Sequence, residues 1–134
     1  MYSVTRLIYF CYGHRLLDYS GKCRHPHGHN GKIEITIQKD SLDALGMVMD
    51  FEEIKEKVQR WVDSELDHKM LLNTRDPLAK ILQDLGEPVV LMKGNPTAEN
   101  IARLIYNYAK SRKLPVACVR LWETVNSYAE YAEN

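Results

Sequence analysis

The alternation of apolar and polar side chains in the segment KIEITIQK, residues 32–39, constrains the fold more than any other feature of the sequence. Ile33, Ile35 and Ile37 fall on one side of an extended chain, and charged, hydroxyl or amide side chains fall on the other. A β-strand with this pattern needs a hydrophobic layer against its apolar side. The sequence therefore predicts a sheet with one face covered by other elements.

The period of the apolar residues predicts the remaining elements. Segments rich in β-branched and aromatic residues indicate strands, whereas apolar residues that recur at intervals of three and four indicate helices. Asp50 and Thr97 are suitable N-cap residues. These patterns predict strands over residues 2–12, 32–39, 88–92 and 116–125, and helices from Asp50 to about Asp67 and from Thr97 to about Arg112. Residues 126–133 extend the last strand or return beside it.

The order of these elements favours an α+β fold in which an antiparallel sheet carries two helices on one face. The second face of the sheet needs a cover as well, and apolar side chains exposed there would favour a partner subunit. Since the chain has 134 residues, the length of one ordinary domain, residues 1–134 are predicted to form a single domain.

Charge and composition narrow the range of functions. The chain contains 18 Lys and Arg residues and 18 Asp and Glu residues, so it lacks the basic field that binding to nucleic acid requires. No apolar run approaches the roughly 18 residues that span a bilayer, so we expect no membrane partner. Three cysteines are too few for a disulfide framework. These observations favour a cytoplasmic protein.

The segment CRHPHGHNG, residues 23–31, predicts a metal site. His27 and His29 lie two residues apart, so both imidazoles point to the same side of an extended segment. His14 lies at the end of the preceding strand and would come beside them if the two strands pair. Three neutral imidazoles on one divalent ion leave a fourth position for water or substrate, as in catalytic zinc sites.

Other interpretations of this segment stay open. Histidines in a loop also occur simply as polar surface. Cys23 could close the zinc site as a fourth, structural ligand, or act as a base because Lys22 and Arg24 favour its thiolate form. In a third interpretation, Cys23 simply packs among apolar groups. His25 shares the alternation of the two metal-binding histidines that follow it, but a proline interrupts the run. We expect His25 to support the site from outside or to lie on the surface.

Two further groups suit acid–base chemistry or ring binding. Asp67 and His68 are adjacent at the predicted end of the first helix, where a carboxylate beside an imidazole suits proton transfer near neutral pH. The same pair could simply cap the helix. Glu123 interrupts the apolar face of the last strand, and a carboxylate in that position needs a partner. A heterocycle with adjacent N–H donors would satisfy it, as would a salt bridge or solvent at the strand end.

These residues occur in an order that resembles the 6-pyruvoyl-tetrahydropterin synthase and 6-carboxytetrahydropterin synthase family. The resemblance is carried by His14, Cys23, HGHN at 27–30, DF at 50–51, LDHKMLLN at 66–73, PTAEN at 96–100 and ET at 123–124. It extends from about residue 5 to about residue 131. The residue after HGHN is Gly31, whereas many family members carry an aromatic residue at this position.

The resemblance implies a tunnelling fold (T-fold), with a four-stranded antiparallel sheet and two helices on one face. It also implies that three subunits join their sheets into a barrel and that two trimers stack into a homohexamer. The implied roles are Zn2+ binding by His14, His27 and His29, a general base at Cys23, a proton relay completed by Asp67 and His68, pterin anchoring by Glu123, and a pocket wall that includes Thr97 and Glu99.

The implied activity is that of a zinc-dependent 6-carboxytetrahydropterin synthase. Such an enzyme converts 7,8-dihydroneopterin triphosphate to 6-carboxy-5,6,7,8-tetrahydropterin, with loss of triphosphate and acetaldehyde, on the route to queuosine. The alternative within the family is a 6-pyruvoyl-tetrahydropterin synthase, which eliminates triphosphate and retains the side chain. Two other classes stay open, a non-catalytic module with a closed Cys/His zinc site and a metal-dependent hydrolase.

Overall fold

One six-stranded sheet organises the chain, and the computed structural model describes all 134 residues. The strands are β1 Tyr2–His14, β2 His27–Lys39, β3 Lys69–Asn73, β4 Val89–Met92, β5 Val116–Thr124 and β6 Ser127–Ala132. Their order across the sheet is β4-β3-β1-β2-β5-β6. The β1–β2, β2–β5 and β5–β6 pairs are antiparallel, whereas β3 pairs in parallel with both β1 and β4.

Three helices accompany the sheet. The first is continuous and consists of α1 Phe51–Ile54, a π-helical segment Lys55–Gln59 and α2 Arg60–Glu65; the others are α3 Pro77–Asp84 and α4 Ala98–Ser111. Asp50, Asp76 and Thr97 cap these helices, since each side chain accepts a hydrogen bond from a backbone N–H of the first turn. No helix is both long and apolar enough to cross a membrane.

The predicted α+β class is confirmed, but the prediction of a four-stranded, wholly antiparallel sheet with two helices is wrong. To that plan the structure adds two strands and a helix: β3, which pairs in parallel, β6, which returns antiparallel beside β5, and α3. In β3 both Leu71 and Leu72 are fully buried, so the segment lacks the alternation that reveals a strand with one solvated face. The start of α3 did have a sequence signal, because Asp76 is a good N-cap and Pro77 suits the first helical position.

The hydrophobic core lies between the two long helices and one face of the sheet. Ile33, Ile35 and Ile37 are completely buried, as the alternation predicted. From the helices, the core receives Ile54, Val58, Val62, Ile101 and Ile105, and from β1 and β5 it receives Ile8, Phe10, Val119 and Leu121. The same face of the sheet continues beyond the core into the histidines at the end of β1 and the start of β2.

A glycine makes room for two aromatic rings at the boundary between core and histidines. Gly31 lies opposite Phe10 in the β1–β2 ladder. A Cβ atom at residue 31 would lie 3.0 Å from ring atoms of both Phe10 and Tyr12, which are stacked with centroids 4.9 Å apart. The two rings therefore fill the space that a side chain at residue 31 would need.

Candidate active site

Three histidines converge where β1 ends and β2 begins. His14 is paired with His27 across the antiparallel ladder, and His29 lies two residues further along on the same face. One ring nitrogen from each histidine lies within 4.8 Å of those of the other two. The Nε2 atoms of His14 and His29 are 3.1 Å apart. The structure thus brings together the three residues that the sequence predicted as metal ligands.

Backbone carbonyl groups set the orientation of two of these imidazoles. The Nδ1 of His14 lies 2.7 Å from the carbonyl oxygen of Pro96, and the Nδ1 of His27 lies 2.8 Å from that of His25. A carbonyl oxygen only accepts, so each Nδ1 carries the proton and each neutral ring keeps a lone pair on Nε2. Burial lowers the pKa of His14, which favours this neutral form.

The residues fit a divalent metal ion. The Nε2 of His27 is buried and has no hydrogen-bond partner in the protein, which by itself costs about 1–3 kcal/mol. Two nitrogens bound to one tetrahedral zinc at about 2.0–2.1 Å lie roughly 3.3 Å apart, close to the Nε2 separation of His14 and His29. A cation between the three rings would therefore satisfy the unpaired nitrogen with little movement of the side chains.

A carboxylate and a phenol lie beside the histidines. The Oε1 of Glu123, near the end of β5, is 3.8 Å from the Nε2 of His14 and accepts a hydrogen bond from the hydroxyl of Tyr12 at 3.5 Å. The side chain of Glu123 is 29% exposed, so it remains partly accessible to solvent. Burial, together with Glu123, raises the pKa of Tyr12, which stays a neutral donor.

Tyr12 was missed by the sequence reasoning, although a signal was present. It lies on the even-numbered face of β1 with Phe10 and His14, and its ring packs against those of His14 and His29 with centroids 5.2 and 5.6 Å away. An aromatic residue two positions before a ligand on the same strand face is well placed to support it.

Asp67 and His68 form a second cluster, beside Cys11. One carboxylate oxygen of Asp67 accepts the backbone N–H of Cys11 at 2.8 Å, and the other lies 2.9 Å from the Nδ1 of His68. Burial raises the pKa of Asp67, but the hydrogen bonds from Cys11 and His68 outweigh it and hold the pKa below its usual range. His68 has φ of 62°, which is uncommon for a residue with a side chain.

Cys23 belongs to neither cluster. It lies in the 3-10 turn Lys22–Arg24, where its side chain is half-buried and its thiol is free. The two groups of converging metal-ligand atoms are His14 with His27 and His29, and Cys11 with Asp67 and His68. Within one subunit, the predicted base is therefore not a member of the histidine triad, nor does it join the predicted acid–base pair.

The PTAEN segment meets the site through its backbone. The carbonyl of Pro96 holds His14, and the hydroxyl of Thr97 caps α4 by accepting the N–H of Asn100 at 3.1 Å. Glu99 is exposed in the first turn of the same helix. Sequence reasoning missed the role of Pro96 because every residue carries a carbonyl group, and only the fold shows which one meets an imidazole.

The α+β fold and the three converging histidines agree with the tetrahydropterin synthase family that the sequence resembles. A family model described as 6-pyruvoyl tetrahydropterin synthase matches residues 3–134. The chain belongs to this family.

Curated relatives are similar over nearly the whole chain. A 6-carboxy-5,6,7,8-tetrahydropterin synthase from Rickettsia bellii is 40% identical over 137 residues, covering 97% of this chain and 99% of the relative. A protein of the same name from Haemophilus influenzae is 33% identical over 141 residues, covering 99% of this chain and all of the relative (100%).

Solved structures share the fold. An uncharacterized protein from Wolinella succinogenes superposes with a TM-score of 0.84 at 25% identity, covering 99% of this chain and 98% of the other. The 6-pyruvoyl tetrahydropterin synthase of Caenorhabditis elegans superposes with a TM-score of 0.74 at 21% identity, covering 99% and 96%.

Proposed function

We propose that the protein is a zinc-dependent 6-carboxytetrahydropterin synthase. It would convert 7,8-dihydroneopterin triphosphate and water to 6-carboxy-5,6,7,8-tetrahydropterin, acetaldehyde and triphosphate. The observation that carries this proposal is the triad of His14, His27 and His29, in which the buried Nε2 of His27 lacks a partner. The names of the curated relatives support the choice of the 6-carboxy product.

Residues of the chain would bind the metal, hold its ligands in the correct tautomer and transfer protons. When held by the three histidines, zinc would act as a Lewis acid toward the side-chain hydroxyl groups of the substrate. The carbonyls of Pro96 and His25 keep two of the imidazoles in the tautomer that can ligate a metal. Cys23 would remove a proton as general base, and Asp67 with His68 would relay protons to and from the side-chain carbons.

Glu123 is proposed to anchor the pterin ring. A carboxylate accepts two parallel hydrogen bonds from adjacent N–H groups, which is the pattern at one edge of a pterin. The hydroxyl of Tyr12 is 3.5 Å from Oε1 and helps to fix the plane of the carboxylate. Thr97 and Glu99 would form part of the pocket wall through the start of α4, close to the carbonyl that orients His14.

We propose that assembly joins the two clusters. Cys23 belongs to neither of the two clusters within one subunit, so we propose that a relay through Cys23, Asp67 and His68 uses a second copy of the chain. The face of β1 opposite the core carries the exposed apolar side chains Leu7 and Tyr9, 43% and 67% exposed, which suit a subunit contact. A homohexamer built from two trimers would supply this contact.

The test is the product of the metal-loaded protein incubated with 7,8-dihydroneopterin triphosphate. The proposal predicts release of triphosphate and acetaldehyde and a product with the mass of 6-carboxytetrahydropterin. A product that retains the whole side chain would instead identify a 6-pyruvoyl-tetrahydropterin synthase. Absence of turnover by protein with one zinc per subunit would contradict both.

Cys23→Ala tests the alternative in which Cys23 is a fourth ligand that closes a purely structural zinc site. Because the sulfur of Cys23 is not part of the histidine cluster, the variant should retain zinc and lose most of its activity. Cys118→Ala is a matched control, since Cys118 lies on β5 and is also a free cysteine. Loss of zinc from the Cys23 variant alone would support the structural site.

The hydrolase alternative is tested by Glu123→Ala. A hydrolase that uses metal-bound water needs no ring anchor, so the variant would still cleave a pterin-free ester. The proposed synthase should instead lose binding of pterins in equilibrium titrations.

A further inference from the structure

The connection between β1 and β2 contains little regular structure, but side-chain hydrogen bonds anchor its first residues. The Nε of Arg15 donates to Asp76 at 2.7 Å, and Asp76 is only 3% exposed. The side chain of Asn95 accepts the N–H of Leu17 and donates to its carbonyl, both at 2.9 Å. Residues 15–17 are therefore tied to α3 and to the segment before α4, and the N–H of Leu16 donates to the carbonyl of Cys23 at 2.9 Å within the connection.

This connection surrounds an open cavity of about 530 Å3. Arg15, Ser20, Arg24 and His25 contribute to its lining. The cavity adjoins the metal centre along the chain, because Arg15 follows His14 and the carbonyl of His25 holds the ring of His27. A ligand whose reactive part meets the histidines could extend into this cavity.

The charge in and around the cavity is positive. Asp76, next to the cavity, is neutralised by Arg15. Asp18 is itself a lining residue, and its carboxylate lies 3.8 Å from the Nη2 of Arg75. Arg24 has no carboxylate partner, and its Nη1 donates only to the carbonyl of Ser20 at 2.9 Å.

Lys22, on the same 3-10 turn, is exposed and also lacks a carboxylate partner. The chain as a whole has a formal net charge of zero, so this excess of positive charge beside the site is local. Such a surface suits an anionic part of a ligand.

We propose that this cavity binds the phosphate chain of the substrate, with Arg24 as the main contact and Lys22 and His25 beside it. The planar guanidinium of Arg24 presents several donors to phosphate oxygens, and its tether to Ser20 limits its motion. The inference rests on the proposed function and makes Arg24 a specificity-determining residue that favours phosphorylated over phosphate-free pterins.

The test measures binding of inorganic triphosphate to the zinc-loaded protein by isothermal titration calorimetry at low ionic strength. Arg24→Gln should weaken binding at least fivefold, in line with the loss of a charge-assisted contact near the surface. Arg112→Gln is the matched control, because Arg112 lies at the end of α4, where its Nη1 contacts only the hydroxyl of Tyr108. The control should bind within about twofold of wild type, since only the contacted charge matters.

Two results would overturn the proposal: wild-type affinity in the Arg24 variant, or equal losses in both variants. Zinc content is measured in all three proteins after the titration, because triphosphate itself binds metal ions. Circular dichroism checks that the exposed substitutions leave the fold intact.

A kinetic arm separates this proposal from the proposed function. With 7,8-dihydroneopterin triphosphate, Arg24→Gln should raise KM at least fivefold with kcat nearly unchanged. Dihydroneopterin without phosphates lacks the leaving group, so it serves as a competitive inhibitor, and its inhibition constant should be equal for wild type and variant. Equal KM values for the phosphorylated substrate would overturn the phosphate site. Failure of the wild type to turn over the substrate would contradict the proposed function, while the calorimetric titration still tests the phosphate site.

Discussion

The ion pair between Arg15 and Asp76 should be the main electrostatic support of the connection beside the three-histidine site. One carboxylate oxygen of Asp76 accepts from the Nε of Arg15 at 2.7 Å, and the other accepts the N–H of Leu78 at 2.8 Å as the N-cap of α3. Asp76→Asn keeps an oxygen for the cap and removes the charge, so this substitution isolates the ion pair.

The size of the expected loss in the free energy of unfolding follows from the burial of Arg15 and Asp76. Removal of one partner from a fully buried pair costs about 3–5 kcal/mol. The side chain of Arg15 is 23% exposed and regains some hydration, so we expect a smaller loss, of roughly 2–3 kcal/mol in the free energy of unfolding. Asp76→Ala also removes the cap and should cost about 1 kcal/mol more.

The loss of stability in Asp76→Asn should depend on pH. The hydrogen bond from Arg15 outweighs the effect of burial and holds the pKa of Asp76 below its usual range. Because the folded-state pKa is depressed, the stabilisation is fully present above the pKa of about 3.9 in the unfolded chain, and it disappears as the pH falls through the folded-state pKa. Wild type and Asp76→Asn should therefore converge in acid.

Urea unfolding at pH 7, and then at steps down to pH 3, measures both effects. Asp84→Asn is the control in the same helix, since Asp84 pairs with Lys80 on the surface and its loss should cost less than about 0.5 kcal/mol. A stability of Asp76→Asn within about 0.5 kcal/mol of wild type at pH 7, the size expected for a surface pair, would show that the ion pair does not support the connection. A difference that persists unchanged at pH 3 would refute the account of the pH dependence.

Two other substitutions test the packing and the strain around the site. Gly31→Val should lower the free energy of unfolding by about 1–3 kcal/mol in urea, because its side chain would overlap the rings of Phe10 and Tyr12, whereas an undisturbed stability would mean that the rings move aside easily. His68→Gly should change stability by less than about 1 kcal/mol, because relief of the φ of 62° is offset by the lost contact with Asp67 and by the freedom of glycine in the unfolded chain, and it should abolish turnover by removing the proposed partner of Asp67. Turnover at the wild-type rate would exclude His68 from the relay.

The convergence of the three histidines was predictable because it depends on two strongly patterned strands that follow one another. Once β1 and β2 pair as neighbours, His14 comes opposite His27, and alternation places His29 on the same face. The carbonyl of Pro96 was not predictable, because its position depends on how the segment before α4 packs against β1.

The position of Asp67 and His68 depended on a pairing that the sequence does not reveal. The helix that precedes them was expected, but the parallel pairing of β3 with β1 joins residues more than 50 positions apart. That pairing places the carboxylate of Asp67 on the backbone N–H of Cys11 and leaves the ring of His68 exposed. Short parallel strands with continuous burial give no alternation from which to infer such a contact.

The central claim is that three imidazoles, without Cys23, hold the metal. X-ray absorption spectroscopy at the zinc edge of the loaded wild-type protein measures the ligands directly. Zinc held by the three histidines alone should have nitrogen neighbours at about 2.0–2.1 Å, with imidazole scattering from three rings and no sulfur near 2.3 Å. A sulfur neighbour, or scattering from fewer than three imidazoles, would contradict that claim.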